Sequence, residues 1–174
     1  MREFFRTSFR YNAWANGILL KALEAARTPP EKAVAAYQHV LEGERTWFAR
    51  IMGERSPNAP FWTAPDLQRC HDWTMELLAR TEYFFAHLEP SGLERGFSYT
   101  NSKGDRFTDR VDTVLAHVLL HSTQYRGESA GFAIAGGVAV PDLDMIFWLR
   151  DGSPEAGRDP KSPRPVFRRQ PLSH

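Results

Sequence analysis

The chain has almost no cysteine. Cys70 is the single one in 174 residues, so no intrachain disulfide framework can form. No run approaches the roughly 20 apolar residues that a helix needs to cross a bilayer, which excludes an integral membrane protein of that kind. No positively charged segment followed by an apolar core opens the sequence, and a cytoplasmic location is expected. There is no phosphate-cradling glycine loop and no internal repeat. Charge of one sign is also scarce: the net value is +1, which gives no global pull toward nucleic acid. The imbalance that exists lies in residues 160–174, where Lys161, Arg164, Arg168 and Arg169 stand without an acid. Phe167 is the only aromatic among them, so this stretch reads as a solvated, proline-rich end, and nucleic acid is an unlikely partner.

What is present is helical periodicity. The length fits one domain able to bury a sizeable core. From Glu3 to about Ala26, Phe5, Phe9, Ala13, Ile18, Leu20 and Leu23 mostly recur at three and four, as an amphipathic helix requires. Thr28-Pro29-Pro30-Glu31 reads as an N-cap, a first-turn proline and a capping acid, so a second helix is predicted from about Pro29 to Met52, ended by Gly53. After the loop Ser56-Pro57-Asn58-Ala59-Pro60, the similar signal Thr63-Ala64-Pro65-Asp66 starts a third, running to about Glu89 and stopped by Pro90-Ser91-Gly92. Phe97, Tyr99 and Phe107 flank the turn cluster Asn101-Ser102-Lys103-Gly104, which predicts a short hairpin or extended loop. A fourth helix follows from near Asp109 to about Ala135. Its apolar residues spread around most of the circumference, which places it deepest in the fold. Asp142 to Arg150 forms a short fifth helix. The expected architecture is all-α: an antiparallel four-helix bundle over residues 1–150, followed by an irregular tail over 151–174.

The fourth helix carries His117-Val-Leu-Leu-His121-Ser-Thr-Gln-Tyr125-Arg126-Gly127. A spacing of four puts His117, His121 and Tyr125 one turn apart, each rotated by about 40° from the last, in a stripe that can face a bundle interior. Buried imidazoles need hydrogen bonds or a metal, since an unpaired buried polar group costs on the order of 1–3 kcal/mol. His39 lies on the apolar face of the second helix and can meet them. Imidazoles converging from facing helices suit zinc, nickel, copper or iron. A histidine pair four apart nevertheless specifies little by itself. His71 and His87 sit among charged neighbours and read as surface groups, and Trp14, Trp47, Trp62, Trp73 and Trp148 read as core. Ser122 diverges from His121 by about 100° around the helix, and Cys70 has no evident base, so serine and cysteine nucleophile schemes fare worse than a metal site.

Several of these elements together resemble the DinB/YfiT family of helical-bundle proteins. Tyr11-Asn12-Ala13-Trp14-Ala15-Asn16 is similar to the family's first-helix signature. His39 with Glu44-Arg45-Thr46-Trp47 is similar to its second helix, the histidine run to its fourth, and Leu143 to Leu149 to its closing segment. The resemblance spans about residues 3–150, in the family's order. It implies a divalent metal, often nickel or zinc, held by three histidines at positions 39, 121 and 125. Here the third is Tyr125, and Glu128 stands where the family frequently has glutamine.

A phenol is a poor ligand, because its pKa near 10 must be overcome before it coordinates at neutral pH, and metal affinity is expected to fall. Three arrangements stay open. His117 can pair with His121 about one turn, roughly 5 Å, nearer the helix start. Alternatively, His39 and His121 bind metal weakly with waters, or Tyr125 hydrogen-bonds a histidine in an empty pocket. By the same resemblance the expected function is a metal-dependent hydrolase or thiol-dependent S-transferase, with the metal activating water or a thiol and Tyr125 or Glu128 handling protons. A small-molecule or thiol substrate and a homodimer with its seam on the first or fourth helix are implied. The alternative is a bundle without metal that persists as a dimeric, stress-related interaction protein without catalytic activity.

Overall fold

The computed structural model describes residues 1–54, 61–101 and 103–151. The loop read at Ser56-Pro57-Asn58-Ala59-Pro60 and nearly all of the tail lie outside them. In chain order the elements are α1 (Arg2–Ala25), α2 (Glu31–Ile51), α3 (Leu67–His87), β1 (Gly96–Thr100), β2 (Arg106–Arg110), α4 (Val111–Ala135) and α5 (Met145–Asp151). The protein is mostly helical, with one two-stranded antiparallel sheet in which Ser98 faces Thr108. Each of α1 and α2 packs on both α3 and α4, and α2 and α4 form the most extensive pair. No described helix is long and apolar enough to cross a membrane.

Proline, not threonine, sets the helix starts. Residues before a proline are pushed out of the α region. Thr28 and Pro29 each precede one, so α2 begins only at Glu31, with Pro30 extended at the N-cap position and no side-chain cap. The same restriction on Ala64 moves the start of α3 past Pro65. There Asp66 is the N-cap and accepts a hydrogen bond from the Arg69 amide at 3.0 Å. Gly53, with φ 72°, ends α2 as its sequence position implied. In the hairpin turn, the Asn101 side chain accepts from the amides of Lys103 and Asp105, each at 2.9 Å.

The interior is aromatic where α1, α2 and α3 meet. Phe9 packs on Phe48 and Phe85, with ring centroids 5.3 and 5.5 Å apart. The deepest element is α2 rather than α4: residues 36–44 are buried without a break. Although α4 is apolar on all sides, it turns Thr113, His117, Leu120, Gln124, Gly127, Gly131 and Ile134 outward, and Leu120 is 72% exposed. The α1 stripe is also shifted. Ala13 and Ile18 are only half-buried, while Asn12 and Asn16 occupy buried positions between Phe9 and Leu19.

Candidate functional site

Two polar constructions stand side by side between α2 and α4. The first is a closed hydrogen-bond network. Oε1 of Glu44, on α2, accepts from Asn12 at 2.8 Å, Asn16 at 3.0 Å and Ser122 at 2.8 Å. The other ends of the two amides accept from the Arg126 guanidinium at 2.7 and 3.0 Å. All five side chains are buried. The asparagines therefore relay between a carboxylate and a guanidinium that do not touch, and three helices are tied by groups whose polar needs are met. Tyr11 extends the tie: its ring lies under Arg126, and its hydroxyl donates to the Leu143 carbonyl ahead of α5.

The second is a cluster of rings. His39 from α2 faces His121 and Tyr125 from α4, with centroid separations of 5.0 and 4.5 Å, and His121 lies 4.7 Å from Tyr125. The close approach depends on Gly43. A Cβ there would sit 2.8 Å from Cε1 of His121, so any larger residue would push the imidazole away. Trp62 stacks on one face of His39 at 4.1 Å with an interplanar angle of 11°. It is 53% exposed and adopts φ 63°, a left-handed conformation costing a non-glycine residue about 1–2 kcal/mol. The Trp62 amide is held there by Oε2 of Glu42 at 3.1 Å.

Glu42 also stands behind His39. Its Oε2 is 3.7 Å from Nδ1 of His39, too far for a hydrogen bond, and that buried nitrogen has no other partner. Burial pushes the Glu42 carboxyl up, but His39, the Trp62 amide, Thr63 and Gln38 together outweigh it and hold the pKa below the usual range. His121 is driven the opposite way from its ordinary value by burial and then by the neighbouring imidazoles of His39 and His117, which pull its pKa down to about 4. Its imidazole is neutral at physiological pH.

Of the residues singled out from sequence, His39, His121 and Tyr125 come together. His117 reaches only His121, at 5.8 Å between centroids, and the Trp47 ring at 5.5 Å, and it is exposed. Glu128 is exposed on α4, seven residues and about 10 Å along the axis from His121. His71 bonds Glu24 on the surface and His87 is exposed, as their neighbours implied. Burial pushes the Cys70 thiol up to about 12, which makes it inert. Of the tryptophans, Trp148 is core but Trp62 is not. Sequence reasoning also missed Glu42, although its place three residues after His39 puts it on the same helix face.

Two imidazoles sharing one ion at bonds of about 2.0–2.1 Å and a tetrahedral angle have centroids about 5 Å apart, and the separation of His39 and His121 is of that size. A third strong donor is missing. Among the described residues no group of three His, Cys, Asp or Glu side chains could hold one ion, and the third position facing the pair is the Tyr125 phenol. Comparisons with family models, with curated proteins and with solved structures returned no match.

Proposed function

We propose that the protein is a DinB/YfiT-type antiparallel four-helix bundle that binds a divalent ion, nickel or zinc, between His39 and His121 with water completing the shell. The observation carrying this reading is the convergence of two imidazoles, 5.0 Å apart, from different helices onto one phenol. A bound ion of this kind lowers the pKa of a coordinated water or thiol, which is the chemistry of a hydrolase or thiol-dependent S-transferase. The residues of the chain have distinct tasks. His39 and His121 offer ring nitrogens, and His121 is already neutral. Glu42 places a carboxylate 3.7 Å from Nδ1 of His39, a charge that favours a cation at the ring. Tyr125, whose ring faces both imidazoles, hands protons to or from a reacting group, Trp62 keeps water from one face of His39, and Glu128 serves as an outer proton acceptor.

The test is metal analysis of chain purified without an affinity tag and exchanged against zinc or nickel. About one equivalent is expected, and less than about a tenth refutes the reading. Tyr125→His restores a third imidazole and should tighten binding. A second reading, a metal-free dimeric interaction protein, draws on the phenol in the third position and on the outward face of α4, where Leu120 and Ile134 are exposed and Gly127 and Gly131 have open space above them. It predicts a stable homodimer through that face and no metal uptake.

A further inference from the structure

Arg50 is the unusual cation of this molecule. The other arginines of the α2–α3 face are paired with acids: Arg45 with Glu76 at 3.0 Å, and Arg80 with Glu54 at 2.7 Å. Arg50 has no acidic partner among the described residues. Its guanidinium sits in the corner made by two nearly perpendicular rings, 4.7 Å from the centroid of Trp47 and 4.8 Å from that of Tyr99. Its Nε is buried with no acceptor, and Nη2 reaches only the Thr100 carbonyl, at a long 3.4 Å on the exposed side. Asp109, the nearby acid, is engaged by the Tyr99 hydroxyl at 2.8 Å. Burial pulls the guanidinium's pKa down from its ordinary value, as it must for a cation that has lost water without gaining a counter-ion.

The rings around it continue in both directions. Phe107, 45% exposed, stacks on Tyr99. On the other side Trp47 leads to His117 and His117 to His121. Arg50 lies seven residues along α2 from Gly43, the residue under His121, which is about 10 Å.

We propose that Arg50 is a binding site for a small organic anion, an aryl carboxylate whose carboxylate takes the outward Nη groups and whose aryl body packs beside the ring cluster of Tyr99, Trp47 and Phe107. A guanidinium matches a carboxylate through paired N–H donors, and the neighbouring rings supply the apolar contact. The inference that this ligand is also the substrate of the imidazole pair rests on the function proposed above; anion binding at Arg50 does not.

The experiment is a titration of the full chain, with chelator present, by 1-naphthoate and by the neutral 1-naphthamide, following the Arg50 Nε–H resonance by NMR. The expected result is saturable binding of naphthoate that shifts this resonance, with the amide weaker by at least about tenfold. Arg50→Gln should lose the same factor while Arg50→Lys keeps part of the affinity. Equal binding of acid and amide, absence of naphthoate binding, or full affinity in the Gln variant overturns the proposal. The comparison of acid with amide uses the unaltered chain, so it decides the matter even if the variants do not fold. Because metal is excluded throughout, failure of the metal reading leaves this result untouched.

Discussion

The network around Glu44 and Arg126 and the rings around His39 and His121 share two helices, yet they differ in one respect. In the network every described polar side chain finds a partner. In the ring cluster Nδ1 of His39 is buried with none, and the nearest carboxylate stays 3.7 Å away. They are interleaved in sequence: Ser122 and Arg126 belong to the network, while their neighbours His121 and Tyr125 belong to the rings. Successive helical residues point about 100° apart, so α4 sends one face to α1 and Glu44 and the next to His39. Buried charge in the network is fully partnered, while the buried imidazole of His39 keeps a free nitrogen, which is why the proposed site falls on the rings. The first fixes the rotation of α4 that the second needs.

Breaking the network should have the largest effect. Removing one partner of a buried charged group leaves the other uncompensated, which typically costs about 3–5 kcal/mol. Glu44→Ala or Arg126→Met should therefore lower the unfolding free energy by that order in urea unfolding, whereas His39→Ala, which deletes an orphaned nitrogen, should lower it far less. Equal losses would erase the distinction between the two constructions.

Gly43→Ala sharpens the comparison at the seam. Its Cβ would fall 2.8 Å from the His121 ring, with no network atom among its nearest neighbours. Overpacking of this kind costs about 1–3 kcal/mol. The imidazole should move away from His39 and metal affinity should drop, while the network bonds of Ser122 and Arg126 persist in the crystal structure of the variant.

The effect that vanishes at neutral pH is the pH dependence of stability, measured in metal-free protein. The folded pKa of His121 is about 4, below the unfolded value near 6.5. Above about pH 6.5 the imidazole is neutral in both states and costs nothing. As pH falls from about 6.5 toward 4, the unfolded chain takes up a proton that the folded chain refuses, and stability is lost; below about 4 that loss is complete. Glu42, held low in the fold, adds a loss at more acid pH. His121→Asn should flatten the stability profile between pH 6.5 and 4, and an unchanged profile would place the titrating group elsewhere.

Most of this was legible in residue spacing, but not evenly. The hairpin and the helices follow from turn residues and three-four periodicity, with errors of two or three residues where prolines displaced the caps. The ring site was legible in part, since His39, His121 and Tyr125 were placed on facing helices by period alone. Trp62 was not, because its place beside His39 comes from a left-handed backbone turn that no periodicity encodes. The network went unread for a different reason. Asparagine, glutamate and arginine in helices ordinarily mark a solvent face, yet Asn12 and Asn16 follow Phe5 and Phe9 and precede Leu19 and Leu23 at alternating steps of four and three. Polar residues inside an apolar stripe are the signal of a buried network. The depth assigned to α4 failed because apolar character on all sides leaves open which face is covered.

The central claim is that His39 and His121 share one ion, and the direct measurement is a zinc titration of the full chain followed through its histidine ring resonances by NMR. The account predicts that His39 and His121 shift together and saturate at one equivalent. Movement of His121 with His117 while His39 stays unchanged, or no shift of either at stoichiometric zinc, would contradict it.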